Sequence, residues 1–202
     1  MKRLCGRGNR RVLYFKTIPS TNFVKADGVI GKPNFEERDY DHKDAIWPYS
    51  VKVSPNGQMT ITDTQYYRVL LWEDWTKAFD QQADVIIGQA SFEGNGQNQF
   101  NWFPKANTLN WCYDTCFYKD GLWVADTGSS RLLWFDQVPT SHNAAAQNVL
   151  GQDNFTTGSE NKNTIWSTEG SLYWPFQICI ENKIMVAADT GNHRIVINHL
   201  NF

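Results

Sequence analysis

Asp189-Thr190-Gly191-Asn192-His193-Arg194 is the stretch on which the reading of this chain turns. Asp126-Thr127-Gly128-Ser129-Ser130-Arg131 repeats it 63 residues earlier, and Asp63-Thr64-Gln65-Tyr66-Tyr67-Arg68 another 63 before that. Gly6-Arg7-Gly8-Asn9-Arg10-Arg11 keeps Gly, Asn and Arg but has lost the Asp. A fixed period in this range marks an architecture built from one repeated unit. Copies at that spacing also exclude an aspartic-protease reading of Asp-Thr-Gly, which needs a single facing pair of carboxylates.

Two further elements keep step with the first. Val29-Ile30-Gly31-Lys32-Pro33-Asn34-Phe35 matches Ile86-Ile87-Gly88-Gln89-Ala90-Ser91-Phe92 and Val149-Leu150-Gly151-Gln152-Asp153-Asn154-Phe155. The motif Arg precedes the Gly of this element by 20 residues in each copy (Arg11, Arg68 and Arg131). Ahead of each Asp-Thr stands an aromatic triplet: Trp47-Pro48-Tyr49, Trp111-Cys112-Tyr113 and Trp174-Pro175-Phe176. Alternating apolar residues follow it, interrupted by Ser54-Pro55-Asn56-Gly57, Lys119-Asp120-Gly121 and Glu181-Asn182-Lys183. Period-two alternation broken by Pro, Asn, Asp and Gly is the signature of strands joined by hairpins. Each unit reads as four short strands, A to D, and no stretch has capped helical periodicity. The fold class predicted is all-β: about three four-stranded antiparallel propeller blades, forming an open arc or half of a six-bladed β-propeller. The domain reading is a single region over 1–202, with a partial blade at 1–35, blades at 36–92 and 93–155, and a partial blade at 156–202.

These residues resemble the NHL-repeat family of β-propellers, in longer bacterial-type repeats with Val-x-Gly-Gln-x-x-Phe elements. Asp189 through Ile195 fits the family pattern closely, Asp126 through Leu132 well, and Asp63 through Val69 without the Gly. The resemblance covers essentially the whole chain and implies the fold. It implies little about function, which resides in sites carried by folds. Propeller relatives include amidating lyases that hold zinc with histidines converging on the central channel. The histidines here, His42, His142, His193 and His199, recur at no equivalent repeat positions. The chain is therefore read as a non-enzyme, with no catalytic, cofactor-binding or metal-ligating residue assigned.

Composition narrows the partners. The 202 residues carry 19 Lys+Arg against 21 Asp+Glu, a net charge of -2. That balance gives no bulk attraction to nucleic acid or anionic membrane. The one basic cluster, Lys2, Arg3, Arg7, Arg10 and Arg11, overlaps the damaged repeat and reads as a strand edge. No apolar run reaches membrane-spanning length, and no hydrophobic stretch follows Met1 as a signal peptide would require. Compartment is not assigned. Cys5, Cys112, Cys116 and Cys179 lack zinc-ligand spacing and read as small core residues. A disulfide between the equivalent Cys116 and Cys179 stays open.

The motif reads as a seam between strands B and C. Asp and Thr bind turn amides, Gly supplies a positive φ, and Arg donates to the Asp or to nearby carbonyls. The three tryptophans read as packing between blades, with a ring of aromatic ligand contacts as the alternative. Function is expected on the face formed by the B–C turns and the D–A links, because long loops on a rigid scaffold carry binding residues. The first link has 11 residues (36–46) and the next two 18 each (93–110 and 156–173). Asp39, Asp41 and Asp44 in the first offer a calcium site, against a plainer reading as solvated charge. The other two pair amides with aromatics (Phe100, Trp102, Phe103, Trp166 and Tyr173), a surface suited to a protein or glycan. Single-stranded RNA ranks below these, since the two links carry only Lys105 and Lys162 as basic residues. The predicted function is a non-enzymatic binding scaffold. The alternatives are a propeller hydrolase or lyase with a channel metal, or an RNA binder. Counting strands, the chain opens on C and D and closes on A, B and C, so missing blades or self-association would complete the ring.

Overall fold

The alternating segments fold into four antiparallel sheets, none closed on itself. The structure, a computed structural model, describes residues 3–6 (backbone), 9–37 and 46–201. Sheet 1 contains β1 (Arg3–Gly6), β2 (Val12–Phe15) and β3 (Gly28–Ile30). Sheet 2 contains β4 (Pro48–Val53), β5 (Met59–Asp63), β6 (Arg68–Trp72) and β7 (Val85–Ile87). Sheet 3 contains β8 (Cys112–Tyr118), β9 (Gly121–Asp126), β10 (Arg131–Phe135) and β11 (Asn148–Leu150). Sheet 4 contains β12 (Pro175–Glu181), β13 (Ile184–Asp189) and β14 (Arg194–His199). Each sheet is a meander in which strands adjacent in sequence pair. Asp39, Asp41, His42 and Asp44 lie outside the described residues.

The hairpins explain the register. Between β12 and β13, Asn182 and Lys183 have φ of 49° and 65°. Two successive positive values make the turn whose twist matches that of the flanking strands. Strand β10 then pairs Arg131 with Asp126, just as β6 pairs Arg68 with Asp63 and β14 pairs Arg194 with Asp189. One expectation is corrected at the start of the chain. The count from sequence opens on C and D, but β1 precedes them and pairs with β2 from Arg3↔Phe15 to Gly6↔Val12. A strand ladder uses main-chain groups, so losing the motif Asp did not abolish the strand.

Packing between sheets makes the core. Val12 and Ile30 of sheet 1 meet Met59, Ile61, Leu70 and Trp72 of sheet 2. Val69, Leu71 and Ile87 of sheet 2 meet Leu122, Val124, Leu133 and Phe135 of sheet 3. Trp123, Leu132 and Trp134 of sheet 3 meet Ile178, Met185, Ala187 and Val196 of sheet 4. Strands β5, β6, β9 and β10 are buried on both faces; β6, β9 and β10 read as near-continuous apolar runs, whereas β5 buries Thr60 and Thr62 between its apolar residues, Thr60 bonding Thr115 at 2.7 Å. The first strands β4, β8 and β12 lie side by side. There the residue after Pro48, Cys112 or Pro175 builds an aromatic row: Tyr49 meets Tyr113 edge-on at 4.6 Å and Tyr113 meets Phe176 tilted at 4.4 Å between ring centroids.

Glycine with a positive φ is needed after the short fourth strand. Gly88 has φ 93°, and a Cβ there would meet the Leu109 side chain at 2.6 Å. Gly31 and Gly151 repeat the arrangement against Ile46 and Leu172. Gly88→Ala combines a left-handed alanine with a clash against a buried leucine. It is expected to cost about 1–3 kcal/mol in a chemical-denaturation midpoint experiment, with little change in the slope.

Candidate functional site

The recurring hexapeptide frame builds an Asp–Arg ion pair in each of three sheets, buried in sheets 2 and 3 and with a partly exposed arginine in sheet 4. Arg Nε lies 2.8 Å from the carboxylate in Asp63–Arg68 and 2.7 Å in both Asp126–Arg131 and Asp189–Arg194. The second carboxylate oxygen accepts a main-chain N–H: from Trp47 at 2.6 Å, Asn110 at 2.6 Å and Tyr173 at 2.7 Å. Arg131 also donates to the carbonyls of Phe155 (2.6 Å), Lys105 (2.9 Å) and Thr108 (3.2 Å). It thus gathers the link that enters its sheet and the one that leaves it. Arg11, which has lost its Asp, still donates to the Phe35 carbonyl. Burial pushes the Asp63 and Asp126 carboxyls above the usual range, while the guanidinium and the amide donor pull the other way.

The Thr of the frame performs a different task. Thr64 donates to the Cys112 carbonyl at 2.5 Å, and Thr127 to the Pro175 carbonyl at 2.6 Å. Each bond crosses to the first strand of the following sheet. Thr190 reaches only the Ala188 carbonyl, at 3.4 Å, within its own sheet. The expectation for the frame's Gly is corrected. The positive φ belongs to the residue before the Arg: Arg10 (51°), Tyr67 (52°), Ser130 (49°) and His193 (52°). Gly128 is instead a point of close approach, its N–H donating to the Asn110 carbonyl at 2.8 Å and a Cβ meeting Asn110 at 2.7 Å.

Several residues that hold this end of the molecule together receive no role in the sequence reading, although Gln89 and Gln152 stand in its recurring Val-x-Gly-Gln-x-x-Phe element. Gln89 donates to the carbonyls of Tyr67 (3.2 Å) and Gly96 (2.8 Å), and Gln152 to those of Ser130 (3.2 Å) and Ser159 (2.8 Å). Each buried glutamine therefore ties a turn to a link. The links themselves repeat: Asn98, Gln99 and Phe100 have φ of 50°, 53° and 61°, and Asn161, Lys162 and Asn163 have 49°, 57° and 64°. Inside these left-handed turns, Thr108 binds Asn98 at 3.2 Å and Ser171 binds Asn161 at 3.2 Å. Equal link length reflects this shared skeleton. Asp114 is buried at the centre of the first strands, accepting from Ser50, from Lys52 at 3.1 Å and from the Ile178 N–H at 3.0 Å. One carboxylate thereby joins three sheets.

The tryptophans divide into two kinds. Pro48, Cys112 and Pro175 all pair with the Asp of their sheet. The N–H bound by that Asp immediately precedes Pro48 in sheet 2, but lies two residues before Cys112 and Pro175. Sheets 3 and 4 thus insert one residue, and the inserted residue is the tryptophan. Trp47 occupies the place of Asn110 and Tyr173, under the Arg10 guanidinium at 4.1 Å. Trp111 and Trp174 are turned outward with φ of 52° and 50°, and are 41% and 44% exposed. A left-handed backbone is unfavourable for a bulky residue by about 1–3 kcal/mol and persists only where the surroundings enforce it. The sequence alignment of the three tryptophans as equivalents is therefore corrected in space.

Trp111 and Trp174 bracket an open pocket of about 400 Å³ between sheets 3 and 4. Tyr113 and Phe176 form its aromatic floor, and Gln97, Asn110, Thr127 and Glu160 supply polar groups. Links and a B–C turn thus provide the polar lining, on the face expected to carry function. Beyond it, Trp102 and Trp166 stand exposed on the two long links. Among the described residues no three His, Cys, Asp or Glu side chains gather as metal ligands would. His142 accepts from the Ile86 N–H at 3.2 Å, and its ring meets Phe92 edge-on. Cys112, Cys116 and Cys179 are free thiols, and Cys179 is exposed rather than core. Burial pushes the Cys112 thiol well above its usual range.

No protein-family model matches the chain, and no curated protein matches it significantly.

Two measurements check this geometry. Arg131→Ala leaves a buried carboxylate without its cation and is expected to cost about 3–5 kcal/mol in equilibrium unfolding. Arg194→Ala, at a pair whose arginine is 29% exposed, should cost distinctly less. In dilute native protein, iodoacetamide should alkylate Cys179 while Cys112 stays protected until global unfolding, as read by peptide mass spectrometry.

Proposed function

We propose that the four sheets are blades of an NHL-type β-propeller arc and that the chain is a non-enzymatic binding scaffold. Its proposed site is the pocket between Trp111 and Trp174, and its proposed ligand is a neutral glycan. The observation that carries this reading is the pair of tryptophans, each inserted by one residue, held in a left-handed backbone and left half exposed beside a pocket. Strain of this kind concentrates at binding sites, where a rigid surrounding holds a residue in position for its ligand. Flat indole faces suit the apolar faces of sugar rings, and Gln97, Asn110 and Glu160 suit hydroxyl groups. No Lys, Arg or His lines the pocket, and Glu160 would repel phosphate, so single-stranded nucleic acid is disfavoured.

The comparison between sheets supports the same place. Gly128 lines the pocket, whereas the corresponding position one sheet earlier is Gln65. Two residues after Gln65, Tyr67 stands beside Trp111, whose Nε1–H donates to the Tyr67 hydroxyl at 3.2 Å. Ser130 is the counterpart beside Trp174, where its hydroxyl accepts the main-chain N–H at 3.4 Å.

A screen of the purified protein against neutral oligosaccharides, followed by titration of tryptophan fluorescence, tests the assignment. Trp111→Ala and Trp174→Ala should each weaken binding by roughly 30-fold or more, the loss expected for a residue worth about 2 kcal/mol, with the near-UV fold signature retained. Absence of glycan binding, or binding indifferent to both substitutions, would overturn it. Capture of a peptide at the same tryptophans would keep the site and overturn the ligand class.

A further inference from the structure

The faces of the four sheets are not equally covered. On β6, Val69 and Leu71 are both 0% exposed, and on β10 the matching Leu132 and Trp134 are 0% and 6% exposed. In each case the next sheet lies on top. The same positions on β14 are Ile195 and Ile197, and they are 61% and 63% exposed. Strand register extends this face across the sheet: Ile195 pairs with Ala188, and Ile197 with Val186, which pairs in turn with Cys179. The burial pattern of β14 alternates, unlike the fully buried β6 and β10. Such a row of apolar residues has the character of an interior surface, and a solvated sheet face would carry polar groups there.

At the opposite end, sheet 1 offers the complementary surface. Leu13 follows Arg11 as Leu70 follows Arg68 and Leu133 follows Arg131. Leu70 and Leu133 point back onto the preceding sheet and are buried by it. Leu13, with Val29 paired beside it and Phe15 two residues on, is only half-buried. We infer that the Ile195–Ile197 face of one molecule docks head-to-tail on the Leu13–Phe15–Val29 face of a second copy of this chain. The contact reproduces the apolar sheet-on-sheet packing found at each of the three internal junctions. It joins two different surfaces, so it is heterologous and closes a ring or extends a chain according to the rotation it imposes. It stands independently of the ligand assigned to the tryptophan pocket.

Light scattering at rising concentration tests the pairing on the full chain. Wild-type protein should move from the 23.3 kDa chain mass towards twice that value or more. Alkylation of Cys179, on the docking face, should slow over the same range. Ile197→Lys, a change at an exposed position, should keep the thermal transition and remain monomeric. Phe15→Lys, checked for folding by near-UV circular dichroism, should also remain monomeric. Mixed in equal amounts, the two variants retain one intact tail and one intact head, so they should form a one-to-one dimer. A wild-type monomer at every concentration would overturn the proposal. So would association that survives Ile197→Lys, or a mixture that stays monomeric while each variant is folded.

Discussion

The structure depends on a guanidinium that has been taken out of water. Arg131 is fully buried, and it is tolerable there because a carboxylate and three carbonyls accept its hydrogen bonds. Satisfying those donors forces distant chain segments together: the turn that holds Asp126, the link at Lys105–Thr108, and the start of the next link at Phe155. The carboxylate is equally constrained, because its second oxygen must take the Asn110 N–H. Hydrophobic packing supplies the bulk of the stabilisation, but it is tolerant of register. The ion pair is not, and it fixes how each link arrives at its sheet.

A graded pattern follows along the chain. In sheets 2 and 3 the pair is buried, the Thr reaches across to the next sheet, and the third strand is covered on both faces. In sheet 4 the arginine is partly exposed, Thr190 turns back on its own sheet, and β14 alternates. The same sequence motif therefore has different surroundings according to whether another sheet lies in front of it. The proposed site exploits the rigid part of the array: both tryptophans leave the backbone immediately beside the N–H or strand residue that the seam holds.

Much of this was legible from the sequence. The 63-residue spacing, the constant interval from Arg to Gly and the hairpin signals locate the four sheets, because period-two alternation and turn chemistry are local properties. The seam was legible in outline, since an Asp and an Arg five residues apart across a tight turn must face each other. What escaped was whatever depends on packing. The extra residue that flips Trp111 and Trp174 outward is invisible in an alignment that matches tryptophan with tryptophan. Only the hydrogen bonds from Trp47, Asn110 and Tyr173 reveal it. Asp114 joins strands from three sheets and has no partner near it in sequence. The long links looked variable by composition, yet Asn98 and Asn161 fold them into one left-handed turn.

Native-state hydrogen exchange at the amides that feed the carboxylates tests the central claim most directly. If the buried pair is the element on which each sheet closes, the Asn110 amide should exchange only through global unfolding. The Tyr173 amide, serving the partly exposed pair of sheet 4, should exchange through a smaller opening. Exchange of the Asn110 amide as fast as that of the exposed link residues would contradict the account.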